Sequence, residues 1–255
     1  MSYFSTYLKK PRAETVLLID GDLYAYRACA AAEEEIDWGD DIWSLSSDLK
    51  QAKNIFQKTI NNICETLETG DFIICLSDKD NFRKELDQEY KGGRSKTRKP
   101  VGYKDFIKWI QETYTWYRVP LLEADDVMGI MGSAPGHNTI IVSDDKDLKS
   151  IPGHLYRPMS GEYMTITKQE ADLWFYTQTL TGDVTDGYTG CPTIGIKTAE
   201  KILGRSPTWD TVVQAYAKQK LNANYALTQA RLARILRFED WDVEKGAIKL
   251  WEPTR

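Results

Sequence analysis

Four short apolar runs in this chain each lead directly into acidic residues. The runs are continuously hydrophobic rather than alternating, which is typical of strands in a parallel sheet buried on both faces. They lie at 15–19, 72–76, 117–122 and 139–142. Helical periodicity separates them, most clearly at 48–67 and 103–113. The alternation predicts an α/β fold, with a mostly parallel sheet flanked by helices and right-handed crossovers.

Beyond residue 168 the strand signal fades and helices are expected. The predicted helices lie at 169–180, 197–203, 209–218 and 223–238. A segment rich in Gly, Asp and Thr at 181–192 interrupts them, and an edge strand is expected at 247–251. We therefore expect an α/β core over residues 1–167 and a helical region over residues 168–255.

The composition argues against several classes of protein. The chain has only 2 His, and its 4 Cys form no CxxC pair, which disfavours a His-based triad, a zinc site and a disulfide framework. No apolar run has the length of a membrane span and no signal peptide is evident, so we expect a cytoplasmic protein without a membrane partner. The net charge of −5 gives no indication of a nucleic-acid partner.

The acidic residues after the strands are the main candidates for chemistry. Because the carboxyl ends of parallel strands line one crevice, these clusters should converge there. A single cluster is most simply interpreted as a helix N-cap, but four together favour hard divalent cations, Mg²⁺ or Mn²⁺. Two such ions can hydrolyse a phosphodiester without a histidine. The clusters are Asp20 and Asp22, Asp78 and Asp80, Glu123, Asp125 and Asp126, and Asp144, Asp145 and Asp147.

A basic run follows the second acidic cluster. It spans residues 90–99, contains no acid, and carries Lys91, Arg94, Lys96, Arg98 and Lys99. Such a run is often only a solvated loop. Here it would overhang the acidic crevice, where its cations could draw a polyanionic backbone towards the metals.

A glycine-containing turn at 190–198 is typical of a helix–hairpin–helix, in which backbone amides approach a phosphate. The residues expected to contact DNA are Gly190, Gly195, Lys197 and Thr198. Just upstream, Asp183 and Asp186 are three residues apart and can face a second metal from one helical turn. The hairpin would occupy residues 183–203.

With these motifs the chain resembles the flap endonuclease/5′-exonuclease superfamily, whose PIN-like α/β core carries an acidic metal-binding cleft and a helical DNA-binding region. The similarity is greatest to the 5′→3′ exonucleases of lytic tailed bacteriophages. The matching motifs, in family order, are LLIDGDLYAYRA (17–28), EYKGGR (89–94), EADDVMG (123–129), SDDKDL (143–148) and GDVTDGYTGCPTIGIKTAEKIL (182–203).

The resemblance implies a site with two metal ions. One would be bound by Asp20, Asp78, Glu123 and Asp125, and the second by Asp126, Asp145, Asp147, Asp183 and Asp186. It also implies that Lys91 and Arg94 contact the scissile phosphate beneath a helical arch at about 80–103. Tyr26 would face a terminal base or pack in the core, and the hairpin could bind K⁺.

The activity implied is that of a metal-dependent 5′→3′ exonuclease with flap endonuclease activity. Its substrates would be duplex DNA with 5′ ends, nicks or flaps, and RNA primers on DNA. The protein would act as a monomer in the host cytoplasm, where it could meet replication proteins.

Three alternative functions remain open: a PIN-type ribonuclease, a phospho-receiver domain, or a DNA-binding protein whose catalytic site is inactive. Arg231, Arg234 and Arg237 could follow duplex phosphates along one helix face, or form a solvated face.

Overall fold

The computed structural model describes residues 3–93, 98–204 and 207–253. Its strands are β1 (Val16–Asp20), β2 (Glu33–Asp37), β3 (Trp43–Ser47), β4 (Phe72–Cys75), β5 (Trp116–Tyr117), β6 (Thr139–Val142), β7 (Gly153–Arg157), β8 (Glu162–Ile166), β9 (Trp241–Asp242) and β10 (Ala247–Ile248). Its α-helices are α1 (Tyr3–Leu8), α2 (Gly21–Ala31), α3 (Leu49–Thr66), α4 (Arg83–Leu86), α5 (Tyr103–Thr113), α6 (Ala124–Gly132), α7 (Lys168–Thr181), α8 (Ile196–Leu203), α9 (Trp209–Lys218) and α10 (Ala223–Ala233).

A six-stranded sheet of order β5-β4-β1-β6-β7-β8 forms the centre of the fold. All neighbours pair in parallel except β7 and β8, which are antiparallel. β1 is buried along its whole length and lies between β4 and β6, in register Ile19 with Ile74 and with Val142. The predicted α/β class with a mostly parallel sheet is therefore confirmed, and the carboxyl ends of β1, β4 and β6 lie side by side.

Two hydrophobic clusters cover the two faces of the sheet. On one face Leu17 and Ile19 pack with residues of α2, α3 and α5. On the other face Val16 and Leu18 pack with residues of α1 and α6. Both sets of β1 side chains are buried because side chains alternate between the faces of a sheet that helices cover on both sides.

The strand predicted at 117–122 is wrong for most of its length. Only Trp116 and Tyr117 pair with β4, and the chain then turns, with the backbone N–H of Leu122 donating to the Val119 carbonyl at 3.1 Å. Pro120 has no N–H for a ladder, and Leu121 adopts a left-handed φ of 66°. The turn brings the acidic segment at 123–126 to the sheet edge in place of a longer strand.

The C-terminal helices share an apolar cluster of their own, and α7 also contributes Ala171 to the core beneath the sheet. Helices predicted at 169–180, 197–203 and 209–218 are confirmed as α7, α8 and α9. The helix predicted to reach residue 238 is wrong at its end, because α10 stops at Ala233. The edge strand expected at 247–251 is reduced to β10, which pairs with β9 outside the main sheet.

The proposed basic face of Arg231, Arg234 and Arg237 is also corrected. Arg234 and Arg237 are only 3% and 1% exposed, and each is paired inside the protein. Arg234 Nε donates to Asp240 at 2.8 Å, and Arg237 Nη1 donates to Asp172 at 2.6 Å. Because a buried guanidinium must be paired, both side chains stabilise the return of the chain after α10 and neither faces solvent.

The segment expected to form an arch, 80–103, contains one short helix, α4, among its described residues. Arg94 and Lys96 lie outside the described residues.

The sequence analysis did not predict the hairpin of β2 and β3, because β2 carries four acids in five residues and lacks an apolar run. In the described part of the chain, no helix combines the length and the apolar character needed to cross a bilayer.

Candidate active site

Asp20 ends β1 and is held at the start of α2. Its Oδ1 accepts a hydrogen bond from the backbone N–H of Leu23 at 3.1 Å, so the carboxylate caps that helix. Its Oδ2 accepts from the hydroxyl of Ser143, directly after β6, at 2.6 Å. Burial, aided by the charges of Asp22 and Asp145, raises the pKa of Asp20 to about 7 although both hydrogen bonds oppose it. The ends of two neighbouring strands thus meet at this carboxylate.

Glu123 precedes α6 and accepts hydrogen bonds from three side chains. Lys91 Nζ donates to Oε1, the Tyr90 hydroxyl donates to Oε2 at 3.1 Å, and Arg83 Nη1 donates to Oε2 at 3.4 Å. Burial raises the pKa of Glu123, but the charges of Lys91 and Arg83 outweigh burial and hold the pKa at about 2. Glu123 is therefore ionised across the whole physiological range.

Asp126 is completely buried, and donors occupy both of its oxygens. Arg83 binds it in a bidentate pair at 2.7 and 2.8 Å. The backbone N–H groups of Glu123 and Leu236 donate at 3.1 and 3.0 Å. A carboxylate has about four lone-pair acceptor sites, so these four hydrogen bonds occupy all of them. The expectation that Asp126 binds a metal is therefore wrong, and Asp126 instead positions Arg83 and the first turn of α6.

Three further carboxylates of the site are close enough to affect one another's pKa, namely those of Asp125, Asp145 and Asp147. Burial and the charges of Asp20 and Asp145 raise the pKa of Asp125 well above its usual range. Asp145 caps a short 3-10 helix, with Oδ1 accepting from the Asp147 N–H at 2.8 Å. Burial and the charge of Asp145 raise the pKa of Asp147 to about 7. Such shifts are the signature of carboxylates that lack sufficient counter-charge.

The loop after α7 supplies the remaining acids. Asp183 Oδ1 accepts from the backbone N–H groups of Thr185 and Asp186 at 2.7 and 3.2 Å, which fixes the turn. The Asp186 carbonyl accepts from the Lys91 N–H at 2.8 Å, and its carboxylate accepts from the Tyr90 hydroxyl at 3.3 Å. The acidic loop is therefore hydrogen-bonded to the basic segment across the site.

These side chains line a cleft of about 240 Å³. The predicted site residues that line it are Lys91, Glu123, Asp125, Asp145, Asp147, Asp183 and Asp186. Asp20 couples electrostatically to Asp125 from beneath the cleft. Asp78 does not line it, because its Oδ2 accepts from the Leu121 N–H at 3.0 Å and faces the turn after β5.

The donor set of the cleft fits a hard divalent cation. Every candidate ligand is a carboxylate, and Oδ1 of Asp147 is buried with no hydrogen-bond partner among the described residues. Within those residues, no three acidic, His or Cys side chains are arranged to hold one ion as they stand. Lys91 instead bridges Glu123 and Asp186. A metal ion that uses Glu123 or Asp186 as a ligand would compete with the Lys91 ammonium for that carboxylate.

The predicted DNA-binding turn joins α7 to α8. Gly195, Lys197 and Thr198 are exposed at the start of α8. Thr193 adopts a left-handed φ of 67°, a conformation that glycine adopts more easily. The expectation for Gly190 is wrong, because this residue is buried and its N–H donates to Gln229 Oε1 at 2.8 Å. That amide is therefore unavailable to a phosphate.

Tyr26 lies on α2 and is 43% exposed, so the alternative of core packing for this side chain is wrong.

Sequence reasoning missed Arg83 and Tyr90 as parts of the site. Tyr90 belongs to the matched segment 89–94, which was a usable signal. Arg83 is held by the carbonyls of Leu232 and Arg234, far away in sequence, and no local pattern indicates such a contact.

Comparison with known proteins places the chain in a family. A family model described as the 5′-3′ exonuclease N-terminal resolvase-like domain matches residues 15–172. The exodeoxyribonuclease of Enterobacteria phage T3 is 33% identical and the exonuclease of Escherichia phage T7 is 32% identical, each over 93% of both chains. The fold is shared with the bacteriophage T5 flap endonuclease in complex with DNA and metal ions. That structure has a TM-score of 0.65 and 14% identity, over 87% of this chain and 89% of that chain. The protein therefore belongs to the 5′→3′ exonuclease family.

Proposed function

We propose that the protein removes nucleotides from the 5′ ends of duplex DNA with two divalent ions, Mg²⁺ or in its place Mn²⁺, and that it also cleaves at nicks and 5′ flaps. The observation that carries this proposal is the convergence of six carboxylates and Lys91 on one cleft. Similarity to the exodeoxyribonuclease of phage T3 and the exonuclease of phage T7 supports the exonuclease activity. The DNA and metal ions in the T5 complex support the substrate class and the cofactor.

The proposed metal ligands fall into two groups. One ion would be held on the strand side by Asp20, Glu123 and Asp125, and the other on the loop side by Asp145, Asp147, Asp183 and Asp186. Asp78 is left out because one of its oxygens is bound to the turn after β5. Divalent ions in such a site supply an activated water and charge neutralisation at the phosphate.

The protein's own residues would prepare Glu123 and Lys91 for this reaction. Arg83 and Tyr90 donate to Glu123, which keeps it ionised and fixed in direction. Burial lowers the pKa of Lys91, but Glu123 and Asp186 outweigh burial and raise it, so the ammonium stays charged. Lys91 would exchange a carboxylate partner for a phosphate oxygen as substrate enters. Arg94 would act beside it on the same phosphate.

The DNA-binding surface is proposed to extend over both parts of the chain, with residues 1–167 as catalytic core and 168–255 as the DNA-binding region. Gly195, Lys197 and Thr198 would contact duplex phosphates in a helix–hairpin–helix, and carbonyl groups of the same turn would bind K⁺. Tyr26 would stack on a terminal base, because its aromatic ring is exposed on α2.

Digestion of 5′- and 3′-labelled duplex, nicked, flap and RNA-primed substrates in Mg²⁺ tests the proposal. We expect release of short products from the 5′ label, cleavage at flap junctions, removal of the RNA primer and loss of activity in EDTA. Cleavage of single-stranded RNA alone would instead indicate a PIN-type ribonuclease. DNA binding without cleavage in any divalent metal would indicate a dead site.

A further inference from the structure

A second and larger cavity lies away from the acidic cleft, along the free edge of β5. This groove has a volume of about 780 Å³ and is open to solvent. It is lined by the first turn of α1, the segment 114–120, Trp241 and the turn between β9 and β10. Aromatic residues dominate the lining, namely Tyr3, Phe4, Tyr114, Trp116, Tyr117 and Trp241. Such a volume and lining are typical of a binding site rather than of a packing defect.

The groove exposes main-chain groups that are ready to pair. The carbonyls of Thr115 and Tyr117 accept hydrogen bonds from the N–H groups of Ile74 and Leu76, so they face β4. Alternate groups of a strand face opposite ways, so the N–H and C=O of Trp116 and Arg118 face the groove. Over the described ranges these groups have no hydrogen-bond partner. An unpaired strand edge is a template for another extended chain.

Two side-chain donors at the groove are also unsatisfied. Nε1 of Trp241 and Nε of Arg118 are buried and lack an acceptor in the described part of the molecule. Buried donors are normally paired, so each carries a free-energy cost until an acceptor arrives. Because both atoms are shielded from solvent, an occupant reaches them only when these side chains move, and the strand edge is the main indication of an extended partner.

The charge of the groove specifies the occupant further. Glu244, the only acid in its lining, is paired with Lys9 at 2.7 Å. Among the described lining residues the bases Arg118 and Lys245 outnumber the acid Glu244. The Asp242 carboxylate, outside the lining, accepts the backbone N–H groups of Lys245 and Glu244, and these bonds together with the Lys245 charge lower its pKa. The groove is thus locally basic in a chain whose net charge is −5. Such a surface favours an acidic partner.

We propose that this groove binds an extended peptide segment of a partner protein, rich in acidic and apolar residues, which adds a strand to the edge of β5. Its main chain would pair with Trp116 and Arg118. Its apolar side chains would lie among the aromatic residues, and its carboxylates would meet Arg118 and Lys245. The groove is built from the far edge of the sheet, so the exonuclease and a bound partner can act at the same time.

Fluorescence anisotropy with a labelled octapeptide of alternating Asp or Glu and Val or Tyr tests this proposal on the full chain. We expect saturable binding by this peptide. A version with Lys in place of each acid should bind at least about tenfold more weakly. A version with N-methyl groups on alternate amides should also lose binding, because it cannot form the ladder. Equal binding of all three peptides would overturn the proposal.

Variants of the chain separate charge from strand pairing. Arg118→Ala removes the charge, whereas Arg118→Pro also removes the outward N–H at a position where an edge strand tolerates proline. We expect the Pro variant to bind the acidic peptide at least about threefold more weakly than the Ala variant, since one main-chain hydrogen bond is lost. Lys245→Glu, in an exposed turn, should weaken binding about tenfold without a risk to folding.

Lys108→Glu on the exposed face of α5 is the matched control and should bind the peptide normally. All four variants should keep wild-type cleavage of a short duplex. Unchanged peptide binding by Lys245→Glu would contradict the proposal. So would displacement of the peptide by a single-stranded oligonucleotide at equal concentration, which would assign the groove to nucleic acid.

Discussion

Lys91 Nζ lies 3.4 Å from Oδ2 of Asp186, and the backbone N–H of Lys91 donates to the carbonyl of the same residue at 2.8 Å. Two contacts thus connect the basic segment to the acidic loop after α7. Lys91 itself has a left-handed φ of 54°, so the backbone is bent to place its side chain over the cleft. This position in the cleft lining distinguishes Lys91 from Lys99, which lies over the Tyr103 ring.

Replacing Lys91 by Ala should reduce the cleavage rate more than it reduces DNA affinity. A cation directed at charge that develops in the transition state contributes roughly 3 kcal/mol, or about a hundredfold in rate. We expect that loss in single-turnover cleavage, with only a few-fold change in the Kd measured in Ca²⁺. Lys99→Ala is the control, because Lys99 lies over the Tyr103 ring and away from the cleft. Equal losses of rate and affinity in Lys91→Ala would assign it to electrostatic capture.

Replacing Asp125 by Asn should abolish cleavage and leave DNA binding intact, because it removes a charged ligand from the metal site. The same change should raise the Tm in EDTA, since burial, Asp20 and Asp145 all disfavour the ionised carboxylate. Glu85→Gln on α4 is a control of equal charge change outside the cleft. Near-normal turnover of Asp125→Asn in Mg²⁺ would mean that the proposed ligand set is incorrect.

The acids that follow the strands could be predicted from the sequence because each comes after a continuous apolar run, whereas Asp183 and Asp186 of the cleft lie in the loop after α7 and were identified by their spacing. Asp20 and Asp145 are examples: β1 and β6 are parallel neighbours, so residues directly after them must meet. The prediction failed at 117–122 because Pro120 and the left-handed Leu121 end the strand, although their hydrophobicity extends the apolar run. Composition alone does not separate a buried turn from a buried strand.

The role of Asp126 could not be predicted, because consecutive carboxylates at the start of α6 point in different directions. Asp125 faces the cleft, whereas Asp126 points into the core and meets Arg83. Burial of Arg83 depends in turn on carbonyls of residues 232 and 234, about 150 positions away. Local patterns contain no information about a contact of that range.

Replacing Asp126 by Asn should therefore destabilise the fold. Breaking a buried ion pair by changing one partner costs about 3 kcal/mol, which lowers the Tm of a chain of this size by roughly 10 °C. Metal affinity, measured by Mn²⁺ titration below the Tm, should fall by no more than about 10- to 100-fold, as for a group that orients a ligand through Arg83 without binding the ion itself. Asp147→Asn is the comparison and should weaken the metal without that loss of Tm. A variant of Asp126 that loses metal but keeps its Tm would restore Asp126 as a ligand.

The metal-free protein should become less stable as the pH rises from about 4 to about 7. Asp20 and Asp147 have pKa values of about 7 in the fold against an unfolded value of 3.8, so the folded state binds more protons across this range. Their stabilisation is complete below pH 4 and is lost once the pH passes 7. In EDTA we expect the Tm to fall over this window, and Mg²⁺ should reverse most of the fall at pH 7.5. Asp147→Asn should flatten the slope, and an unchanged slope would contradict the assignment.

Replacing Lys197 by Ala should weaken DNA binding equally for every sequence. Lys197 is exposed at the start of α8, and in the proposed function its ammonium would contact phosphates, which carry no base sequence. Each phosphate contact contributes about 0.9 to the slope of log K against log salt concentration, so the slope should fall by about one unit. Duplexes of different sequence, titrated in Ca²⁺ at several salt concentrations, measure both effects. Lys108→Ala, on α5, should leave the slope unchanged. A loss of affinity for only one DNA sequence would show that the segment reads bases. That result would contradict a hairpin that contacts only the DNA phosphate backbone.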